Sequence, residues 1–153
     1  MGQAIARAIP KDSHELSDLT YRSKAHWGYS AEQLEKWRDD LQITSEYIRD
    51  HDVWLVRINE KIAGYYSFSI ISATTLKLDN IFLEPLHIGT GLGSLLMKDF
   101  LDKATGLGVT TITLDAEPNA EPFYQKFGFK TVGQLKSTIP GRFLPFMKLS
   151  LSE

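Results

Sequence analysis

The sequence predicts an α/β protein: a mixed, mostly antiparallel twisted sheet with a bulged central strand, flanked by helices. Three observations carry this. Helical and strand periods alternate along the whole chain. One strand, residues 75–84, changes phase in its middle. A glycine-rich loop, Ile-Gly-Thr-Gly-Leu-Gly-Ser from Ile88 to Ser94, sits between that strand and an amphipathic helix. At 153 residues, 42% of them hydrophobic and 24% charged, the chain has the size and balance of a single globular domain over residues 1–153.

Composition narrows the function before any motif is read. The absence of cysteine excludes disulfides, thiolate metal sites and a cysteine nucleophile, and fits the reducing cytoplasm in which the protein is expected. The start, Met-Gly-Gln-Ala-Ile-Ala, lacks the basic region and long apolar core of a signal peptide, and Ala6 stands where a myristoylation signal needs Ser or Thr. No apolar run approaches the length of a membrane span. A net charge of −2 supplies no basic field for nucleic acid or an anionic membrane, yet does not repel a small cation. The four histidines show no ligand spacing, so no metal is expected.

In chain order, Ala4 to Ile9 reads as a first strand stopped by Pro10. From Ser13 the pattern becomes helical, with Leu16, Leu19 and Tyr21 on one face, and fades near Gly28. Ser30 with Gln33 forms a capping box that opens a helix over 31–41, and Thr44 caps a short helix over 45–49. Residues 53–59 and 61–72 are two antiparallel strands around Asn59-Glu60-Lys61. In the strand over 75–84 the apolar positions are even at Leu76 and Leu78 but odd at Ile81 and Leu83. Strand faces alternate strictly, so this flip predicts an inserted residue, a β-bulge, near Asp79 and Asn80. Pro85 ends the strand. Leu92, Leu95, Leu96, Phe100, Leu101 and Ala104 then mark a helix that stops at Gly106–Gly108. A strand over 110–114 follows. Asn119 caps a short helix with Glu121, Phe123, Tyr124 and Phe127, which Gly128 closes. Two last strands, 131–135 and 143–151, meet across the Pro140-Gly141 turn.

The glycine loop is the first chemical signal. Its glycines let the backbone curl without Cβ atoms, and it opens onto a helix N-terminus, so its amides form a nest suited to a phosphate or pyrophosphate. A dinucleotide-binding unit is one source of such a loop, and Asp115 lies near where its ribose-binding acid would fall. Against that, the glycines read Gly-x-Gly-x-Gly, three residues separate the strand from the loop, and too little chain follows to complete a doubly wound sheet.

The loop and the run Asn-Ala-Glu-Pro-Phe-Tyr-Gln-Lys-Phe-Gly-Phe, from Asn119 to Phe129, together resemble the GCN5-related N-acetyltransferases. The family's cofactor loop reads Gln/Arg-x-x-Gly-x-Gly/Ala after a bulged strand; the matching positions here are Ile88, Gly89, Thr90, Gly91, Leu92 and Gly93. Ile88 departs from the pattern by removing a polar phosphate contact, which leaves the pyrophosphate to the backbone amides, helped by His87 or Lys126. The resemblance covers the chain from about Leu76 onward. It implies the acyl-CoA N-acyltransferase fold, acetyl-CoA as co-substrate, and transfer of its acetyl group to a primary amine.

Site residues follow from the resemblance and the chemistry together. The pyrophosphate falls to the amides of Gly89–Ser94, and the pantetheine arm to backbone freed at Ile81, Phe82 and Leu83, pairing as a pseudo-strand. Asn119, Phe123, Tyr124 and Lys126 complete the cofactor side. Tyr124 is the expected general acid for the departing thiolate, and Glu84 or Asp79, flanking the bulge, the base for the amine. His26, Trp27 and Tyr29 offer aromatic faces to an acceptor ammonium, and Arg142 a clamp for an acceptor carboxylate. With no cysteine to carry an acyl group, direct transfer in a ternary complex is expected. The acceptor is a small-molecule or peptide amine, and a terminal strand offers an edge for a homodimer. The competing reading is a non-catalytic acyl-CoA sensor or regulatory module.

Overall fold

Capping chemistry and strand pairing set the element boundaries. The computed structural model describes residues Ala4–Leu151, so the first three residues of the amino-terminal stretch lie outside it. Its strands are β1 (Ile5–Arg7), β2 (Asp52–Ile58), β3 (Lys61–Ser72), β4 (Thr75–Leu83), β5 (Thr111–Asp115), β6 (Lys130–Lys136) and β7 (Phe143–Ser150). Its helices are α1 (Ser13–Ala25), α2 (Ala31–Trp37), α3 (Ser45–Asp50), α4 (Leu92–Gly106) and α5 (Glu121–Gln125). The strands form one mixed sheet in the order β1-β2-β3-β4-β5-β7-β6. No helix among the described residues is long and apolar enough to cross a membrane.

Chain contacts divide into two compact units, one of residues up to Phe68 with Asn80–Leu101, the other of Ser69–Asp79 with Asp102 onward. In the first, Ser30 Oγ and Thr44 Oγ1 accept the Gln33 and Tyr47 amides and start α2 and α3. The β2–β3 turn holds Asn59 and Glu60 at φ +54° and +71°, the left-handed pair of a type I′ hairpin. One face of β3 sends Tyr65 into a core of Leu16, Leu19, Ile48, Val53 and Leu55 under α1 and α3. The other sends Tyr66 and Phe68 against Phe100 of α4, ring centroids 5.5 and 5.3 Å apart. Tyr21 lies off the buried stripe of α1, which is Leu16, Ser17, Leu19, Thr20 and Ser23, and its ring carries the Arg38 guanidinium at 4.6 Å. Helix α2 ends at Trp37 rather than 41, since Asp39 and Asp40 follow and acids at a helix C-terminus oppose its dipole. Leu95, expected on the apolar stripe of α4, is exposed, while Leu92, Leu96, Met97, Phe100 and Ala104 are buried.

In the second unit, β5 lies antiparallel to β7, and β7 to β6. Among the described residues, strand β4 pairs in parallel with β5 at Thr75, Leu76 and Lys77. Strand β6, last in the sheet order, carries an extra residue at Val132 between Thr131 and Gly133 and a lysine at each end, features that discourage another chain from adding to an edge.

The phase change in β4 is visible in its side chains. Asp79 accepts from Ser69 Oγ, and Asn80 donates its side-chain amide to Ser67 Oγ at 2.9 Å. Ser67 and Ser69 are two apart on β3 and share a face, so neighbouring residues of β4 point the same way and alternation fails between them. Burial agrees: Leu76 and Leu78 are buried, and no position from Asp79 to Leu83 is. A second irregularity, not anticipated, makes Ala63 the extra residue opposite the Val56–Arg57 step of β2, and the Ala63 carbonyl accepts the Glu84 amide at 2.8 Å.

Gly64, the residue after this bulge, has no room for a side chain: a Cβ would stand 2.7 Å from Leu83 Cδ2, 3.1 Å from Leu96 Cδ1 and 3.2 Å from the Phe82 carbonyl oxygen. Two of these atoms can swing away; the carbonyl cannot. Gly64→Ala is expected to cost about 2 kcal/mol by overpacking, measured by urea unfolding, and an unchanged midpoint would refute the tight approach.

Candidate active site

The loop before α4 is a row of unspent donors. Gly89 and Gly91 adopt φ +84° and +90°, a backbone other residues rarely take, with open space where a Cβ would stand. Thr90 is tied down through its amide and hydroxyl to the His87 carbonyl, at 3.3 and 2.6 Å. The amides of Gly89, Gly91, Leu92, Gly93 and Ser94 make no hydrogen bond among the described residues. Five N–H groups without a partner among the described residues, at the positive end of a 15-residue helix, are the kind of donors that suit an anion. Ile88 contributes no polar atom of its side chain, as its identity implies.

Before the loop, Ile81, Phe82 and Leu83 are half-buried and have no partner on β5. Phe82 packs on Tyr65 at 6.1 Å. Glu84, expected as one of two bases, is held by Arg22 of α1: Nε lies 3.1 and 3.0 Å from its two oxygens, and Nη2 donates to Oε2. Asp79, the other, is half-buried and receives the Ser69 hydroxyl.

At the end of α1, His26 meets Trp27 edge-on at 5.5 Å, and Trp27 is 39% exposed. Tyr29 meets Trp37 at 4.8 Å, and the Lys24 ammonium stands over both rings, 5.4 and 5.1 Å from their centroids. These faces hold a cation already.

In the second unit, two residues expected at the site, Asn119 and Arg142, converge on a third, Glu117, that sequence reasoning missed. Its Oε2 accepts the amide and side-chain nitrogen of Asn119 at 3.2 and 2.9 Å, and its Oε1 accepts Arg142 Nη2 at 3.1 Å. Arg142 also donates to Ser137 Oγ at 3.0 Å. The capping expectation for Asn119 is therefore corrected: Glu117 caps a 3₁₀ turn over 118–120, and α5 begins after Ala120 with no side-chain cap. Pro118 fixes the backbone so that the preceding side chain folds over this turn, which makes Glu-Pro-Asn the signal that could have revealed Glu117. Arg142 spends its fork on this internal carboxylate, both side chains being less than one-fifth exposed.

Tyr124 is 8% exposed, between Phe123 and Phe129 at 5.4 and 6.0 Å. Burial first, and the Glu117 charge second, push its phenol well above the ordinary tyrosine range. Its hydroxyl has no hydrogen-bond partner among the described residues. It is a proton held on an uncommitted oxygen. Phe123 stacks edge-on with Phe127 and carries the Lys126 ammonium at 5.6 Å. Gly128, at φ +97°, closes α5 as expected.

A family model for the acetyltransferase (GNAT) domain matches residues 18–150. The chain belongs to the GCN5-related N-acetyltransferases. It is an acetyl-CoA-dependent N-acyltransferase of that family, with the seven-stranded mixed sheet expected of it. The N-acetyltransferase YafP of Escherichia coli K12 is 29% identical over 129 residues, covering 82% of this chain and 79% of that one. The peptidyl-lysine N-acetyltransferase YjaB of the same organism is 27% identical over 150 residues, with 96% and 95% covered. Among solved structures, the PaiA N-acetyltransferase of Thermoplasma acidophilum in complex with coenzyme A superposes with a TM-score of 0.79 at 18% identity, over 98% of this acetyltransferase and 99% of that chain.

The buried phenols give this acetyltransferase a pH signature. Tyr65, fully buried with its hydroxyl 2.6 Å from Thr20 Oγ1, is raised like Tyr124, again chiefly by burial. Folded pKa values above the unfolded value mean that the neutral phenols stabilise the fold fully below about pH 10, and that this contribution is lost as pH rises beyond it. Urea midpoints followed upward from pH 8 should fall above about pH 10, and less steeply in Tyr124→Phe. Identical slopes would remove Tyr124 from the account.

Proposed function

We propose that the chain acts as one acetyltransferase domain over residues 1–153 and moves the acetyl group of acetyl-CoA directly to a primary amine within a ternary complex. The observation that carries this is the row of amides at 89–94 that have no partner among the described residues, at the start of α4; Tyr124, buried and protonated, is the group that supports the transfer chemistry. When bound, acetyl-CoA supplies the activated thioester. Everything else falls to this chain's own groups. The amides of Gly89 and Gly91–Ser94 bind the pyrophosphate, with His87 and Lys126 as helpers and Ile88 adding nothing polar. The edge of Ile81–Leu83 away from β3 takes the pantetheine amides as a pseudo-strand, and an N–H of the same stretch polarises the thioester carbonyl. Asn119 and Phe123 complete the cofactor side.

Asp79 accepts the amine proton directly or through water, because Glu84 is engaged by Arg22. Tyr124 donates to the departing thiolate. An ordinary thiol has a pKa of about 8.5, below that of the raised phenol, so the transfer depends on position and on charge developing at sulfur rather than on a matched pKa. The acceptor is an amine whose ammonium is drawn to the aromatic pair His26 and Trp27, since Tyr29 already carries the Lys24 ammonium. Peptidyl lysine is one candidate, in line with the name of YjaB. Arg142, paired with Glu117, serves the acceptor less directly than a free guanidinium would.

The test is acetyl-CoA-dependent thiol release over a panel of amines, including lysine peptides, with Tyr124→Phe beside it. Turnover with at least one amine is expected, and the variant should lose roughly a hundredfold in kcat while its CoA affinity stays within about twofold. CoA binding without turnover on any amine would favour the sensor reading instead.

A further inference from the structure

Glu84 occupies a position where the sequence suggests a catalytic base, and the structure assigns it different work: we propose that Glu84 and Arg22 form a clamp that positions the cofactor loop. This rests on the reading of 89–94 as the pyrophosphate site.

Three groups of Glu84 are committed at once. Its amide donates to the Ala63 carbonyl of the β3 bulge at 2.8 Å, and its carbonyl accepts the His87 amide at 2.8 Å. Its carboxylate is gripped by the Arg22 fork. Pro85 follows and fixes φ, so the chain leaving Glu84 enters the 3₁₀ turn 85–87 in one direction. The His87 carbonyl then holds both the amide and the hydroxyl of Thr90, between the two left-handed glycines. From Arg22 to Thr90 the constraint passes through hydrogen bonds in an unbroken series, and the free amides of Gly89 and Gly91–Ser94 flank its last link. Helix α1 is itself fixed by Glu15, which accepts the Ile62 amide at 2.8 Å, and by Thr20 on Tyr65. The helix is thus a rigid support for the fork.

Glu84 is poorly placed in chemistry to act as a base. A carboxylate accepting a bidentate guanidinium has its lone pairs directed at the arginine and not at an incoming amine. The pair lies in a cleft of about 570 Å³ lined also by Glu15, Lys61, Leu86 and His87, and Arg22 is half exposed. Water there screens the pair, so its effect is a modest one on loop geometry.

Arg22→Met, Glu84→Gln, the double variant and Arg22→Lys separate the two roles. As a clamp, the first two should each raise the dissociation constant of CoA, by calorimetry, and the KM for acetyl-CoA about three- to fivefold, with kcat within about twofold. The double variant should be no worse than either, and Arg22→Lys should fall between it and the parent. The low-pH limb of kcat should persist in Glu84→Gln. A loss of a hundredfold or more in kcat with Glu84→Gln but not with Arg22→Met would make Glu84 the base and overturn the clamp. Unchanged CoA affinity in all variants would overturn it as well. Calorimetry keeps the outcome separate from that of acetyl transfer, because the clamp predicts weakened CoA binding even if no amine in the panel is acetylated.

Discussion

A β-strand cannot show two successive side chains to one face without gaining a residue, and β4 does this at Asp79 and Asn80. The serines two apart on β3 that receive them fix the irregularity from outside the strand. Its consequences run in both directions along β4. Upstream, Leu76 and Leu78 keep the even phase and the pairing with β5. Downstream, pairing with β5 ceases, no residue is buried, and the backbone at Ile81–Leu83 keeps its polar groups for another partner. A fully paired β4 would have no such groups to offer a peptide-like arm, whatever the loop beyond it did.

The other side of β4 has to compensate for this looseness, and it does so by close approach. Gly64 admits Leu83, Leu96 and the Phe82 carbonyl to distances no side chain there would tolerate. The extra residue at Ala63 turns its carbonyl toward the Glu84 amide. One edge of β4 is thereby held where the other is left open. The asymmetry places the end of the strand, and so the start of the glycine loop, without demanding a partner on the β5 side.

Most of this was legible because it rests on local rules. The phase flip follows from parity of apolar positions, the β2–β3 hairpin from Asn59-Glu60-Lys61 between two strand patterns, and the caps of α2 and α3 from Ser30 and Thr44. The glycine loop and Tyr124 came from short motifs. What sequence could not show is partnership across long separations. Arg22 and Glu84 are 62 residues apart, and Glu117 and Arg142 are 25 apart. Nothing in either neighbourhood names its partner, so Glu84 read as a free acid and Arg142 as a free cation. Asn119 was misread for a related reason: both Asn119 and Glu117 are competent caps, and only the fold of the Pro118 turn decides between them.

These pairings bear on the kind of amine that the acetyltransferase reading favours. Arg22 is spent on Glu84 and Arg142 on Glu117, so neither offers an acceptor carboxylate an uncompensated fork; taking one would leave a partly buried glutamate behind, which costs more than the new contact returns. The aromatic faces at the end of α1 behave differently. Tyr29 and Trp37 already accept the Lys24 ammonium, which shows that they are suited to a cation, and Trp27 is 39% exposed. Selection by ring faces rather than by ion pairing reads the positive charge of an amine and is indifferent to what is attached further along. It therefore tolerates a lysine within a peptide as readily as a free diamine. On the proposed reading, discrimination among amines falls to the shape of the surface around Trp27 rather than to a salt bridge.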